Sequence, residues 1–461
     1  MNLRLPRVYC SNLLLIALAA ALLLPGAALA RTLYVAPTGS DKNAGTKDAP
    51  FATITRAQTA AETGDTVYLR GGNYTLTNDQ ISRTERNYAY VNYLSKGGIK
   101  YLAYEGETPV FDFSKVRPGG VRICAFLIAG GNITLQGFEI TGVQVTIPTA
   151  HTQSECIRVE SSHNVFRQLK MHDGMGIGLY MIKNAGDNLV ENCDAYNNCG
   201  LDQGSIGNID GFGCHVGKGA TGNVFRGCRS WNNSDDGYDC IHCAEPVTFD
   251  HCWAMDSGWL GGDGNGFKIS GWAGTPVGNL PNPIPRHTVT FCLSVHNKAH
   301  GFYANHQPGG AANWYNNTAY TNHINFDMLE RTSDNAKDIP GVNEVLHNNL
   351  GYKAVGEEVH DLNETGAKVS HNSWTMNVTV KDSDFVSLDP KSLTGPRQAD
   401  GSLPKVTFMH LAPGSDLIDQ GLDVGLPYKG KAPDLGCFEV ATVAATSATT
   451  TGNLTATTGK K

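Results

Sequence analysis

Short apolar stretches alternate residue by residue with polar ones and are broken by Gly, Asn and Asp, which predicts many brief strands rather than helices. One phrase recurs along the chain. Cys193-Asp-Ala-Tyr-Asn-Asn, Cys228-Arg-Ser-Trp-Asn-Asn, Cys252-Trp-Ala-Met-Asp-Ser, Cys292-Leu-Ser-Val-His-Asn and Asn317-Thr-Ala-Tyr-Thr-Asn are its strongest copies. Weaker copies start at Gly137, Gln168 and Asn349, with successive starts 24 to 40 residues apart. Each phrase follows a strand signal such as Asn223-Val-Phe-Arg or Val247-Thr-Phe-Asp, and a second signal, x-Gly-apolar-x-apolar, follows it. A unit of at least the mid-twenties with several short strands and elastic turns predicts an all-β chain wound as a right-handed parallel β-helix. Leucine-rich repeats lack their leucines here, and propeller blades would be longer and more regular.

Stacked coils explain the cysteines. Cys193, Cys228, Cys252 and Cys292 fall in one column and Cys214 and Cys240 in another, read as inward thiols packed as small hydrophobes. Asn317 and Asn349 would continue the first column as an amide ladder. Coils about 4.8 Å apart are also within disulfide reach, so oxidised pairs stay open. A zinc cluster at Cys240, His242, Cys243, His251 and Cys252 is disfavoured, because strand neighbours point to opposite faces.

The ends read differently. Arg4 and Arg7, the apolar run 13–24 and Ala28-Leu-Ala30 form an export signal over residues 1–30, too short to span a membrane. Residues 31–440 then form one β-helix domain, opening with a cap from Tyr34-Val-Ala-Pro to Gly71-Gly-Asn-Tyr74 and closing on a strand at Asp434-Leu-Gly-Cys-Phe-Glu439. The Thr/Ala/Ser-rich stretch 441–461 predicts disorder. The expected product is a secreted monomer, extracellular or periplasmic. The formal charge of −7, becoming −9 without Arg4 and Arg7, and the lack of a Lys/Arg run exclude a basic nucleic-acid binder.

Aligning the x-Gly-apolar-x signals stacks Met175, Asp210, Asp236, Asn265 and His300 in one column. Gly178, Gly213, Asp239, Lys268 and Tyr303 stack in a second, facing away from the buried Phe212, Tyr238 and Phe267. Asp210, Asp235, Asp236 and Asp239 thereby converge, and carboxylates so close repel unless a cation lies between them. A hard cation with flexible oxygen coordination, Ca²⁺, answers that need. Lys268 sits one coil beyond Asp239. A metal beside an amine suits β-elimination from a uronate, in which the amine removes the C5 proton and the C4–O bond breaks.

Asn208-Ile-Asp210-Gly-Phe-Gly, Cys228-Arg-Ser-Trp-Asn-Asn-Ser-Asp-Asp-Gly-Tyr-Asp239 and Gly264-Asn-Gly-Phe-Lys268 resemble the family-nine pectate lyases. The resemblance extends through the Tyr34-Val-Ala-Pro start, Asp384-Phe-Val-Ser-Leu388 and the Asp434-Leu-Gly ending. It implies a single-domain right-handed β-helix, secretion, calcium held by Asp210, Asp235, Asp236 and Asp239, Lys268 as the base, and polygalacturonate as substrate. Asp263 before Gly-Asn-Gly, the many cysteines and the 271–286 loop depart from the family pattern. Asn265, Arg286, Tyr303 and Arg331 are the expected substrate contacts, and Trp259, Trp272 and Trp314 the further candidates for stacking on sugars. Three other activities keep the same fold: a lyase for rhamnogalacturonan or another uronate polymer, a glycoside hydrolase, and a polysaccharide binder without catalysis.

Overall fold

The structure, a computed structural model, describes residues 30–147, 153–200 and 206–440. The expected export signal, apart from Ala30, and the expected disordered tail 441–461 lie outside the described residues. The chain winds as a parallel β-helix whose coils build three long sheets of twelve, ten and eleven strands among the described residues. The first sheet runs from Thr32–Val35 to Lys368–Ser370, the second from Gly72–Thr77 to Leu350–Tyr352, and the third from Arg83–Glu85 to Glu357–His360. The seven-residue helix Ile54–Ala60, N-capped by Thr53, belongs to the N-terminal cap. No described helix is long and apolar enough to cross a membrane.

Local sequence dictates the corners. Each coil turns from the first sheet into the second through a residue in the left-handed region: Gly137, Gln168, Asn192, Gly227, His251, Phe291, Asn316 and Asn348 all have φ between 52° and 84°. The residue that follows points inward, so the column reads Phe138, Leu169, Cys193, Cys228, Cys252, Cys292, Asn317 and Asn349. The expected starts at Gly137 and Gln168 are therefore one residue early, because those positions are the turn itself. All eleven cysteines among the described residues are free, and those in this column are fully buried. Where sulfur stops, amides begin. Asn317 donates to Asn349 (3.0 Å) and Asn349 to Asn372 (2.8 Å), and further ladders link Asn164–Asn188–Asn223 and Asn297–Asn322.

The glycine of the second signal has a steric cause. A methyl group on Gly266 would lie 2.2 Å from Ser294 Oγ and 2.7 Å from the Gly301 carbonyl, at a corner where adjacent coils nearly touch. Beyond that corner Phe212, Tyr238, Phe267, Phe302 and Phe326 stack inside the coil, with ring centroids 4.6 to 5.2 Å apart. This aromatic pile fixes the register of the third sheet, and so the spacing of whatever points outward from it.

After the last coil the chain returns along the second sheet. Phe385, Leu393, Phe408, Leu417, Leu435 and Cys437 bury against Trp253, Leu293, Val295 and Leu350 on its outer face. The stretch Asp434–Glu439 belongs to this strap and is not the closing strand expected. Its main chain bonds instead to Leu417, Asn348 and the Thr318 hydroxyl, while the Asp434 carboxylate accepts from the amides of Asp419 and Val440. An ionic triad pins the strap: buried Asp194 accepts from Arg229 on the sheet (2.8 Å) and from Arg397 on the strap (2.6 Å). Asp194→Ala would leave two guanidiniums facing one another in a dry site. It should cost about 3–5 kcal/mol, measured by denaturant unfolding, and expose the strap to limited proteolysis.

Candidate functional site

Alternation along the third sheet sends one residue per coil outward in a single column. The paired register runs Tyr93, Leu127, Arg158, Tyr180, Gly213, Asp239, Lys268, Tyr303, Asp327 and His360. The expected positions for Gly213, Asp239, Lys268 and Tyr303 hold. Gly178 does not join them, since Leu179 pairs with Phe212 and Tyr180 with Gly213. The copy at Met175 is thus two residues out of register, a shift that preserves the face because the side-chain period is two.

Carboxylates gather at the middle of the column. Oxygens of Asp210, Asp236 and Asp239 lie within 4.8 Å of one another, and all three residues are buried. Asp235 is buried beside them but stands outside that set, its Oδ1 accepting from the Asp263 amide at 2.7 Å. Lys268 faces the group, its Nζ 3.0 Å from Asp236 and 3.6 Å from Asp239; exposed Asp263 approaches from the other side at 3.8 Å. Burial, then the neighbouring carboxylates, push Asp210 well above the usual carboxylate range; burial and Asp236 push Asp235 up to about 8. Asp236 is raised as well, chiefly by burial. For Lys268, burial opposes the charge, but Asp236, Asp239, Asp235 and Asp210 together outweigh it and hold the ammonium protonated. One ammonium does not balance four buried carboxylates, and an oxygen-lined, acidic set of this kind fits a hard divalent cation.

Asp236 is held in place by a relay. Its Oδ1 accepts from both the backbone and the side-chain amide of Asn265, at 2.7 Å each, and Asn265 Oδ1 meets His300 Nδ1 at 2.7 Å. His300 Nε2 lies 3.3 Å from Asp327, which also contacts His360 at 3.3 Å. Burial and the nearby His323, His360 and His306 lower His300 to about 4, so it relays as a neutral ring. On the other flank the Tyr180 hydroxyl meets His215 Nδ1 at 3.1 Å, and His215 Nε2 lies 3.7 Å from Asp239.

The expected substrate contacts divide. Tyr303 lies next to Lys268 in the column and is half-buried. Asn265 is buried and occupied by Asp236 and His300. Arg286 donates to the carbonyls of Ala312 and Asn343, and Arg331 to Asp338 and the Asn335 carbonyl. Trp314 is a core residue donating to Glu344, Trp272 is buried, and Trp259 is exposed and stacked on His296. Sequence reasoning missed Asp327 and His360, which together with Asp361 form a second group able to hold a metal. Their signal was present in Ile324-Asn-Phe-Asp327 and Glu357-Glu-Val-His360, which keep the alternation but lack the glycine.

Residues 33–349 match the family described as Pel9A-like, right handed beta helix region. The chain is 33% identical to pectate lyase L of Dickeya chrysanthemi over 426 residues, 90% of this chain and 92% of that protein. Among solved structures, a rhamnogalacturonan lyase superposes with a TM-score of 0.78 at 39% identity, covering 83% of this chain and 97% of that one. Pectate lyase Pel9A superposes with a TM-score of 0.70 at 29% identity, covering 89% and 96%.

Proposed function

Because the chain belongs to the Pel9A-like right-handed β-helix family, we propose that it is an exported, calcium-dependent pectate lyase acting as a monomer on polygalacturonate by β-elimination. The observation that carries this reading is Lys268 standing one coil from Asp239 and 3.0 Å from Asp236, at the edge of a buried carboxylate cage. Asp210, Asp236 and Asp239 would hold Ca²⁺ with Asp235 beside them. When bound, the ion would supply positive charge to a uronate carboxylate and so acidify the adjacent C–H.

The protein's own groups do the rest. Lys268 Nζ, once neutral, takes the C5 proton; the C–H electrons form the C4–C5 double bond, and the C4–O bond breaks with its electron pair going to the glycosidic oxygen, which takes a proton from water as the shortened chain leaves. Neutrality is attainable because carboxylates committed to a cation no longer hold the lysine's proton. Asn265, fixed by His300, holds Asp236 Oδ1 and so sets where Asp236 Oδ2 stands beside the base. Tyr303 gives the sugar a flat half-buried wall beside the reacting carbon. A glycosidase needs two carboxyl groups about 5–9.5 Å apart flanking the bond. Here one oxygen from each of Asp210, Asp236 and Asp239 lies within 4.8 Å of the others, a converging cluster rather than a flanking pair, and Lys268 would have no task.

A second reading, a lyase acting on rhamnogalacturonan, has support from the 39% identity to the rhamnogalacturonan lyase structure. Incubation with polygalacturonate, methylated pectin and rhamnogalacturonan separates these outcomes. Ultraviolet absorbance of an unsaturated product, highest on polygalacturonate, is the expected result. New reducing ends without absorbance would mean a hydrolase, and binding without either would mean a non-catalytic protein.

A further inference from the structure

The outward column does not end at the carboxylates. Four coil steps from Lys268 it reaches Arg158, about 19 Å away at the coil spacing of about 4.8 Å. There the third sheet carries an addition foreign to the coil: Arg83–Glu85 folds back antiparallel on Tyr88–Leu94, the one antiparallel pair in that sheet among the described residues. The hairpin raises a wall over a cleft of about 370 Å³ lined by Arg83, Arg86, Tyr90, Tyr93, Arg158 and Lys183, among others. Its floor is aromatic, with the Tyr88 and Tyr90 rings stacked at 5.5 Å and the Arg83 guanidinium 5.2 Å from the Tyr93 ring. Its charge is positive. Four basic residues line it against Glu85 and Glu160: Arg83 pairs with Glu85 at 2.6 Å, Arg158 with Glu160 and buried Glu155 at 2.8 Å each, and Lys183 with Glu160 at 2.6 Å, while exposed Arg86 has no ion pair among the described residues.

We propose that this cleft is a distal subsite for the same acidic polysaccharide, gripping uronate rings about four coils from the bond that breaks. The inference rests on the lyase reading for the direction of the polymer, since a sugar ring is about as long as one coil spacing and the shared column is a straight track between the two places. Tyrosines give flat faces for rings, and arginine and lysine meet the carboxylates that each ring carries. Between them the Tyr180 ring lies over side-chain-free Gly213, where a methyl group would come within 2.7 Å of it, and continues the aromatic surface.

The test is substrate length. For Arg86→Ala/Lys183→Ala, the ratio of kcat/KM on polygalacturonate to kcat/KM on the trimer should fall about tenfold, and for Arg86→Glu/Lys183→Glu it should fall further. Raising the salt to about 0.5 M should shrink the difference between variants and wild type. A ratio within twofold of wild type, or an equal loss on both substrates, overturns the subsite. If wild-type protein releases no unsaturated product from either substrate, the lyase reading itself has failed. The cleft is then judged by affinity electrophoresis in gels holding polygalacturonate, rhamnogalacturonan or neutral dextran. Retardation by an acidic polymer that the double variants lose supports it; retardation that they keep overturns it.

Discussion

Lys268→Ala should lower kcat on polygalacturonate by about 10²–10⁴-fold while calcium and substrate affinity stay near wild type, because a base acts on the proton only as it leaves. Unsaturated-product absorbance under saturating substrate gives kcat, and calorimetry with calcium gives the affinity. Lys268→Arg should restore little, since a guanidinium does not shed its proton in the working pH range. The sign of the pH dependence follows from the charges around Nζ. The carboxylates raise the lysine's affinity for its proton, so the neutral form grows as pH rises and activity should climb toward the alkaline side. A variant retaining near wild-type release of unsaturated product removes Lys268 from the reaction.

Chelation is expected to abolish turnover, with Asp236→Ala weakening calcium binding and leaving the coil folded. Stability adds a readout independent of activity. In the metal-free protein Asp210, Asp235 and Asp236 prefer to be protonated, so the native state binds more protons than the unfolded chain. Their contribution to stability is therefore fully present below the usual carboxylate pKa and is lost as pH rises, for Asp235 through about 8. A bound cation takes the place of those protons. The rise in thermal midpoint on adding calcium should accordingly be larger at pH 8 than at pH 5, and an equal rise at both would mean that these carboxylates do not hold the ion. Full activity in excess chelator would remove calcium from the reaction altogether.

The architecture was legible because the coil imposes itself on every turn of sequence. An inward Cys, an outward polar residue and a corner glycine each answer a constraint that recurs at every coil, so Asp239 and Lys268 could be stacked before any coordinates. Where a constraint slackens, so did the register. The eight-residue strand Gly176–Lys183 offers two glycines to align, and the later one does not fall where Gly213 does. Charge without periodicity was a poorer guide. Arg286 and Arg331 rest as substrate contacts on residue type alone, and part of each guanidinium is bonded to backbone carbonyls or, for Arg331, to Asp338. Asp327 and His360 lack the glycine that only the crowded corner requires and keep just the alternation common to every strand, so the glycine pattern does not reveal them. The strap after residue 372 left no periodic trace, only the phrases at Asp384–Leu388 and Asp434–Glu439, since its apolar residues answer to the second sheet and not to one another.

That strap has a consequence for how the chain acquires its shape. Most coil contacts join residues 24 to 40 apart and can form as the chain emerges, one turn templating the next. The bond from Arg397 to Asp194 spans 203 positions, and that from Cys437 to Thr318 spans 119. Closing those loops comes after the coils exist, and until then Trp253, Leu293, Val295 and Leu350 form an uncovered apolar strip. During N-to-C synthesis the half-built solenoid would carry that strip bare. Slow arrival of the last seventy or so residues then becomes a window for aggregation, and chains cut short before the strap should be recovered as aggregates even though every coil is present.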